Sequence, residues 1–215
     1  MPAKPQTLIA FATSWGPKYG GINSFNYDLL RAFVACTYIA TETVCVVPGA
    51  SAGEITEAGQ AGVKLISLGE LDASGFTAGS EALAWQCLRA QLGEFDAGAT
   101  VWLGHDRISG AIALAAAKQR GGRAALIHHM SYAAYEGFAE NSAGAQDKVD
   151  EQAGLFRAAD IRLAVGPLLR DALQDLLDCR DVVMLVPGLA AIDERAHPSN
   201  KFTGFLSGRL NPSAQ

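Results

Sequence analysis

The sequence predicts an α/β fold, a doubly wound parallel β-sheet with helices on both faces. Short apolar segments of about 5–7 residues alternate with amphipathic segments of about 10–16 along the whole chain. The short segments are apolar throughout, as strands covered on both faces are. Strand and helix alternation requires crossover connections, and these join parallel strands. At 215 residues the chain has room for one generous domain, or for one domain plus a fragment, and is too short for two full domains. With 49% hydrophobic and only 18% charged residues, against a usual ~25% charged, it can bury a large core, and general disorder is excluded.

The elements follow in order. Thr7–Ala12 is the first strand, and the loop Thr13–Gly21 leads to a helix predicted over Ile22–Thr37. Phe25, Leu29, Leu30, Phe33 and Val34 recur there at helical spacing and are expected to form its buried face. Thr43–Val47 is a second strand, stopped by Pro48-Gly49, and a short helix over Gly53–Ala61 leads to strand Val63–Leu68. The helix Ser80–Leu92 carries Leu83, Gln86, Cys87 and Ala90 along one side. Strand Thr100–Leu103 ends in Gly104-His105-Asp106, and Ser109 is suited to cap a helix over Gly110–Arg120. Strand Arg123–His128 is followed by a polar stretch from Met130 to about Gln146, and then by a helix near Lys148–Ala158. Strand Ile161–Val165, helix Pro167–Asp178 with proline in its first turn, strand Val182–Val186 and a last strand over Phe202–Ser207 complete the pattern.

Composition excludes several functions. The net charge is −5 with scattered Lys and Arg, whereas a duplex-binding surface clusters them, so no nucleic-acid partner is expected. No apolar run reaches the ~18 residues of a transmembrane segment and no signal sequence is visible, which predicts a cytoplasmic protein. Cys36, Cys45, Cys87 and Cys179 lack CxxC spacing and sit in apolar surroundings, so buried free thiols are expected, with no metal site.

Ligands of open α/β sheets sit beyond the carboxyl ends of the strands, which directs attention to the loops there. After strand one, Gly20-Gly21 opens a helix, where bare amides and the positive helix end suit an anion such as a phosphate. The spacing matches neither GxGxxG nor the P-loop, and a simple turn is the competing reading. His128 and His129 end a strand, where a neutral imidazole can hydrogen-bond a sugar hydroxyl or merely satisfy itself. His105 and Asp106 are placed to hold a polar substrate, or Asp106 and Ser109 to cap the helix. Arg209 follows the last strand and can contact a phosphate. Glu151 reads as part of a solvated helix face.

Taken together, these features bring a family to view. They are Pro17-x-x-Gly20-Gly21-Ile22-Asn23 before a helix, a Gly-His-Asp strand end with a small-residue helix, and a strand running into His. Further along come a helix with Glu151 before Ala159-Asp160-Ile161, the turn Val186-Pro187-Gly188, and Phe205-Leu206-Ser207-Gly208-Arg209-Leu210-Asn211-Pro212. The chain resembles, over nearly its whole length, the amino-terminal half of the retaining GT-B glycosyltransferases of the large group 1, GT4-like family.

The resemblance implies a two-domain enzyme that moves a sugar from a nucleotide-diphosphate sugar to an acceptor with retention, in the cleft between an acceptor-binding Rossmann-like domain and a donor-binding domain. It implies that Gly20, Gly21, Asn23 and Arg209 bind the donor diphosphate. It also implies that His129, or in the other register His128, contacts the sugar near the reacting carbon, and that no metal cofactor is needed. Lys18, Tyr19, His105, Asp106, Tyr132 and Tyr135 are the expected acceptor side, with Asp72–Gly79 and Met130–Ala145 as variable loops. The acceptor is a glycan, a lipid or a small molecule. By this reading residues 1–200 are the amino-terminal domain, and 201–215 are the linker and first strand of a truncated carboxyl-terminal donor-binding domain. The chain alone is then expected to be inactive without the missing domain. Two other classes compete, a non-catalytic binding or partner subunit and a small nucleotide-binding Rossmann-like protein. Against the latter stand the lack of GxGxxG and of an acidic residue after strand two.

Overall fold

The computed structural model describes residues 6–35, 41–69, 76, 80–93, 96–136 and 144–187. Seven described strands form one parallel sheet: β1 (Gln6–Phe11), β2 (Thr41–Val47), β3 (Lys64–Ser67), β4 (Thr100–His105), β5 (Arg123–His128), β6 (Ile161–Val165) and β7 (Val182–Leu185), in the order β3-β2-β1-β4-β5-β6-β7. The chain winds outward from β1 to β3, crosses back, and winds the other way from β4 to β7. The topological switch point therefore lies between β1 and β4, which pair directly from Thr7–Thr100 to Ala10–Leu103.

The connecting helices are α1 (Gly21–Ala35), α2 (Ala52–Gln60), α3 (Ser80–Leu92), α4 (Asp106–Arg120), α5 (Tyr132–Glu136), α6 (Ala145–Ala158) and α7 (Pro167–Leu177). Because successive strand side chains point to opposite faces, each apolar strand feeds two cores. Ile9, Phe11, Val44, Val46, Trp102 and Leu126 face one cluster, with Ala84 and Leu88 of α3, Ile112 and Ala116 of α4, Phe156 of α6 and Leu173 of α7. Leu8, Ala10, Cys45, Val47, Leu103 and Ile127 face the other, with Leu30 of α1 and Ala58 of α2. At about 1.5–3 kcal/mol for each large side chain fully buried, this two-sided packing fixes the strand ends on which the loops are carried.

Gly104 shows how closely α4 lies on the sheet. A Cβ there would meet the Ser109 carbonyl oxygen at 2.7 Å and Gly110 Cα at 2.8 Å, so no larger residue fits without moving backbone.

Three expectations are corrected. α4 begins at Asp106 and not at Gly110, so Ser109 lies inside the helix and does not cap it. Of the face predicted for α1, Leu30 is buried and Phe25 and Leu29 pack half-buried on the core, but Phe33 and Val34 are exposed and Asn23 and Asn26 are buried in their place, because polar partners for the two amides wait beneath the helix. On α3 the fully buried residues are Ser80, Ala84 and Leu88, and of the side read from the sequence Leu83 and Cys87 pack half-buried against the core while Gln86 and Ala90 are exposed. Cys45 is buried as expected, whereas Cys87 and Cys179 are half-exposed. The strand over Phe202–Ser207, the boundary near residue 200, Arg209, Cys36, and all of the loop Asp72–Gly79 but residue 76 lie outside the described residues. Among the described residues no helix is long and apolar enough to cross a membrane.

Candidate functional site

The loops that follow β1, β4 and β5 meet at the switch point. After β1 the chain makes a 3-10 turn at Pro17–Tyr19, passes Gly20, and enters α1 at Gly21. Gly20 has φ +97, a left-handed conformation that any side chain would strain. Gly21 has no such φ, and a Cβ built on either glycine meets nothing within 4 Å. The protein's own packing therefore does not require glycine at 21, which opens the first turn of α1, where helix amides have no intrahelical acceptor.

The loop is held from two sides. The Asn23 side chain donates from Nδ2 to Thr13 Oγ1 (2.9 Å) and to the Tyr19 carbonyl (3.1 Å), and its Oδ1 accepts from Ser14 N–H (3.2 Å). It is 6% exposed, so this amide, expected on the diphosphate, braces the loop itself. Glu54 holds the other side. It closes a capping box with Ser51 at the start of α2, and its Oε1 accepts from Tyr19 O–H (2.6 Å) and Lys18 Nζ (3.1 Å). Burial opposes its charge, but the hydrogen bonds from Tyr19, Ser51 and Lys18 prevail and hold its carboxyl at about 2. Lys18 and Tyr19, expected on the acceptor side, remain accessible at the rim with their polar ends on Glu54.

Beyond β4 and β5 the polar groups turn inward. Asp106, 1% exposed, uses all of its carboxylate: Oδ1 accepts from His128 Nδ1–H (3.0 Å) and Gln152 Nε2 (2.8 Å), Oδ2 from His129 N–H (2.7 Å) and Met130 N–H (3.2 Å). Its φ of +43 is a strained value that aspartate tolerates better than most residues, and the four bonds hold it there. Asp106 thus does not cap α4, and its carboxylate is turned inward on these four donors. His128 is buried on Asp106 with its ring edge-on to Phe156 (5.6 Å), withdrawn from solvent. Ser109 ties the switch point together, accepting from His105 N–H (2.9 Å) and donating to the Phe11 carbonyl (2.6 Å).

His105 is fully buried and links α1 to β5. Its Nε2 lies 3.0 Å from Asn26 Oδ1 and its Nδ1 lies 2.9 Å from His129 Nε2. Burial, then the charge of His129, lowers its pKa to about 3. His129 is half-buried, with Phe25 edge-on at 5.0 Å. Burial lowers its pKa to about 4, against the raising effect of Asp106 and with a further lowering by His128. Both imidazoles are neutral near pH 7. Phe25 lies four residues after Gly21, about 6 Å along α1, so the glycine entry and His129 border one surface.

Tyr132 is 8% exposed, with the Arg107 guanidinium 5.1 Å over its ring and Arg107 bridged to Glu151. Glu151 thus lies on a solvated face, as read, and the Tyr132 ring packs under its neighbours. Tyr135 falls within α5, and its side chain lies outside the described residues. Sequence reasoning missed Asn26, Gln152 and Glu54, and read Ser109 only as a cap. The one available signal was that Asn23, Asn26 and Leu30 share a helix face, which places Asn26 toward the sheet.

A parallel sheet in this order, with a glycine-opened helix and a histidine strand end at its switch point, is a Rossmann-like α/β domain. The particular family follows from the sequence. Residues 9–215 match the model of the family 4 glycosyltransferases in conflict systems, and the chain belongs to that family. No curated protein matches it in sequence. Among solved structures it is similar to Anabaena Alr3699/HepE in complex with UDP-glucose, with 13% identity, TM-score 0.54, and 86% of this chain and 44% of that one covered. It is also similar to sucrose-phosphate synthase from Thermosynechococcus elongatus, with 12% identity, TM-score 0.58, and 84% and 47% covered. Phytolacca americana UGT2 complexed with UDP-2-fluoro-glucose and pterostilbene is a third, with 11% identity, TM-score 0.52, and 88% and 54% covered. The chain spans about half the length of each. At these identities the likeness is one of fold.

Proposed function

We propose that this chain is the acceptor-side half of a glycosyltransferase that moves a sugar from a nucleotide-diphosphate sugar to an acceptor with retention. The observation that carries the reading is Gly21, a helix-opening glycine that neither backbone conformation nor packing demands, one helical turn from the residue that packs on His129. A phosphate approaching the α1 amides needs that open face. The charge growing on the departing diphosphate would meet these amides and Arg209, which supply what a metal otherwise supplies. His129, neutral and half-exposed, would meet a sugar hydroxyl close to the reacting carbon. Asn23 and Glu54 would act by holding the loop, and the accessible rim at Lys18 and Tyr19 would face the acceptor. The donor's base and sugar would be selected by a carboxyl-terminal domain beyond residue 200, and the chain alone would be inactive in the cytoplasm.

The test is transfer, or donor hydrolysis, by the longest natural chain carrying Gly21→Val or His129→Ala. Both are expected to lose activity with the fold intact, and native rates in both variants would overturn the site. For the 215-residue chain, calorimetry with UDP-glucose is expected to show weak binding or none, and micromolar affinity would overturn the assignment of donor binding to a second domain.

A further inference from the structure

The hydrogen-bond chain that crosses the switch point has a direction. Asn26 Nδ2 faces the buried Cys45 Sγ at 3.5 Å, so Oδ1, an acceptor only, is the atom presented to His105 Nε2. His105 Nε2 must then carry the proton. In a neutral imidazole the other nitrogen is a lone pair, so His105 Nδ1 is an acceptor, and the group 2.9 Å away, His129 Nε2, must donate. A neutral His129 protonated at Nε2 has its lone pair on Nδ1.

We propose that Asn26 and His105 are positioning residues that fix His129 as the Nε2–H tautomer and so make Nδ1 a hydrogen-bond acceptor. The tautomer does not depend on the proposed glycosyl transfer, but its consequence rests on that reading. The group that meets His129 must bring a hydrogen-bond donor. A neutral sugar hydroxyl fits, whereas a carboxylate or phosphate oxygen would set lone pair against lone pair. The second nitrogen is set by the bond the first one makes, as with metal-bound histidines. The opposite arrangement is well defined too. Turning the Asn26 amide over would protonate His105 at Nδ1 and His129 at Nδ1, converting the acceptor into a donor.

Nitrogen-15 NMR of the labelled 215-residue chain distinguishes the two directly, because protonated and bare imidazole nitrogens differ widely in shift. The chain has 4 histidines, and single His→Gln variants assign them. At pH 7 the expected spectrum shows His105 and His129 each with Nε2 protonated and Nδ1 bare. Protonation of His129 at Nδ1 would overturn the proposal. Asn26→Asp, which keeps an acceptor toward His105, is expected to retain the single tautomer, and its loss in that variant would count against the mechanism. Folded Asn26→Leu is expected to lose it to a mixture, and an unchanged His129 there would remove Asn26 from the mechanism. If Asn26→Leu does not fold, the native and Asn26→Asp spectra decide. Because these spectra are read without ligand or turnover, a failed tautomer is distinguishable from a failed glycosyltransferase reading.

Discussion

The loop after β1 and the ends of β4 and β5 lie side by side and were expected to do similar work, yet they are built in opposite ways. The loop is accessible, with two glycines whose missing side chains leave open space. The strand ends are closed, with His105, Asp106 and His128 each at most 1% exposed and bonded to one another and to their neighbours. In a dry interior an unpaired polar group is costly, so a cluster bonded this completely serves as scaffold. His129 lies where the two regions meet, its Nε2 bonded into the scaffold and the residue as a whole half-buried. Residue type alone marked both regions as candidate site, and burial divides them.

The contrast predicts opposite outcomes for equally small changes. The largest is at Asp106. Asp106→Ala strands His128 Nδ1–H, Gln152 and the amides of His129 and Met130, and should lower stability by about 3–5 kcal/mol, read by urea unfolding. A loss under about 1 kcal/mol would mean that the carboxylate is not the organiser described. Next is Gly21→Val, expected to leave the fold cooperative while lowering transfer by the longest natural chain roughly 100-fold, about 2.7 kcal/mol of barrier. Equal losses of stability and activity would erase the distinction between the regions. Gly104→Ala forces a methyl onto the α4 backbone and should destabilise by about 1–3 kcal/mol, seen as a lowered Tm.

Acid should strike the closed region first. His105 and His129 are held in the folded protein at about 3 and about 4, below the ordinary 6.5. The unfolded chain therefore binds their protons first. Their contribution is complete above pH 6.5 and lost as pH falls through about 4 and then 3, at up to ~1.4 kcal/mol per pH unit for each histidine. Glu54 adds its own loss only below about 4.5, its carboxyl being held at about 2. Denaturation at pH 7, 6 and 5 should show this slope, and His129→Gln should shallow it. An unchanged slope in that variant would exclude His129 as a source. The smallest effect is Gly21→Ala. Removing glycine's backbone freedom should leave stability unchanged or raise it by less than the ~1 kcal/mol of a helix interior, and a clear destabilisation would mean that the open face is needed by the fold itself.

Much of the architecture was legible because its signal is local. Apolar runs such as Leu8–Phe11 and Val44–Val47 mark strands buried on both sides, and Ser80–Leu92 is helical over the very residues predicted. The start of α4 was not legible. Gly110 and Ser109 read as a boundary and cap, but Asp106 enters the helix early because four donors from β5, its following loop and α6 receive its carboxylate. Part of the buried face of α1 was misread for a related reason. Phe33 and Val34 look like core and Asn26 does not, until His105 and Cys45 supply the amide with partners. The glycine pair was legible as a feature, and its open space became evident only in three dimensions.

By itself the sequence determined the alternation of strand and helix, the parallel sheet, and the loops at which polar residues would gather, since each rests on periodicity within a few neighbouring residues. Which of those polar residues are withdrawn from solvent was decided by tertiary structure. Asn26 meets His105 across 79 residues of chain and Ser109 meets the Phe11 carbonyl across 98. No local pattern encodes such a pairing, because it exists only once β1 and β4 lie side by side and bring the ends of two distant segments within hydrogen-bonding distance.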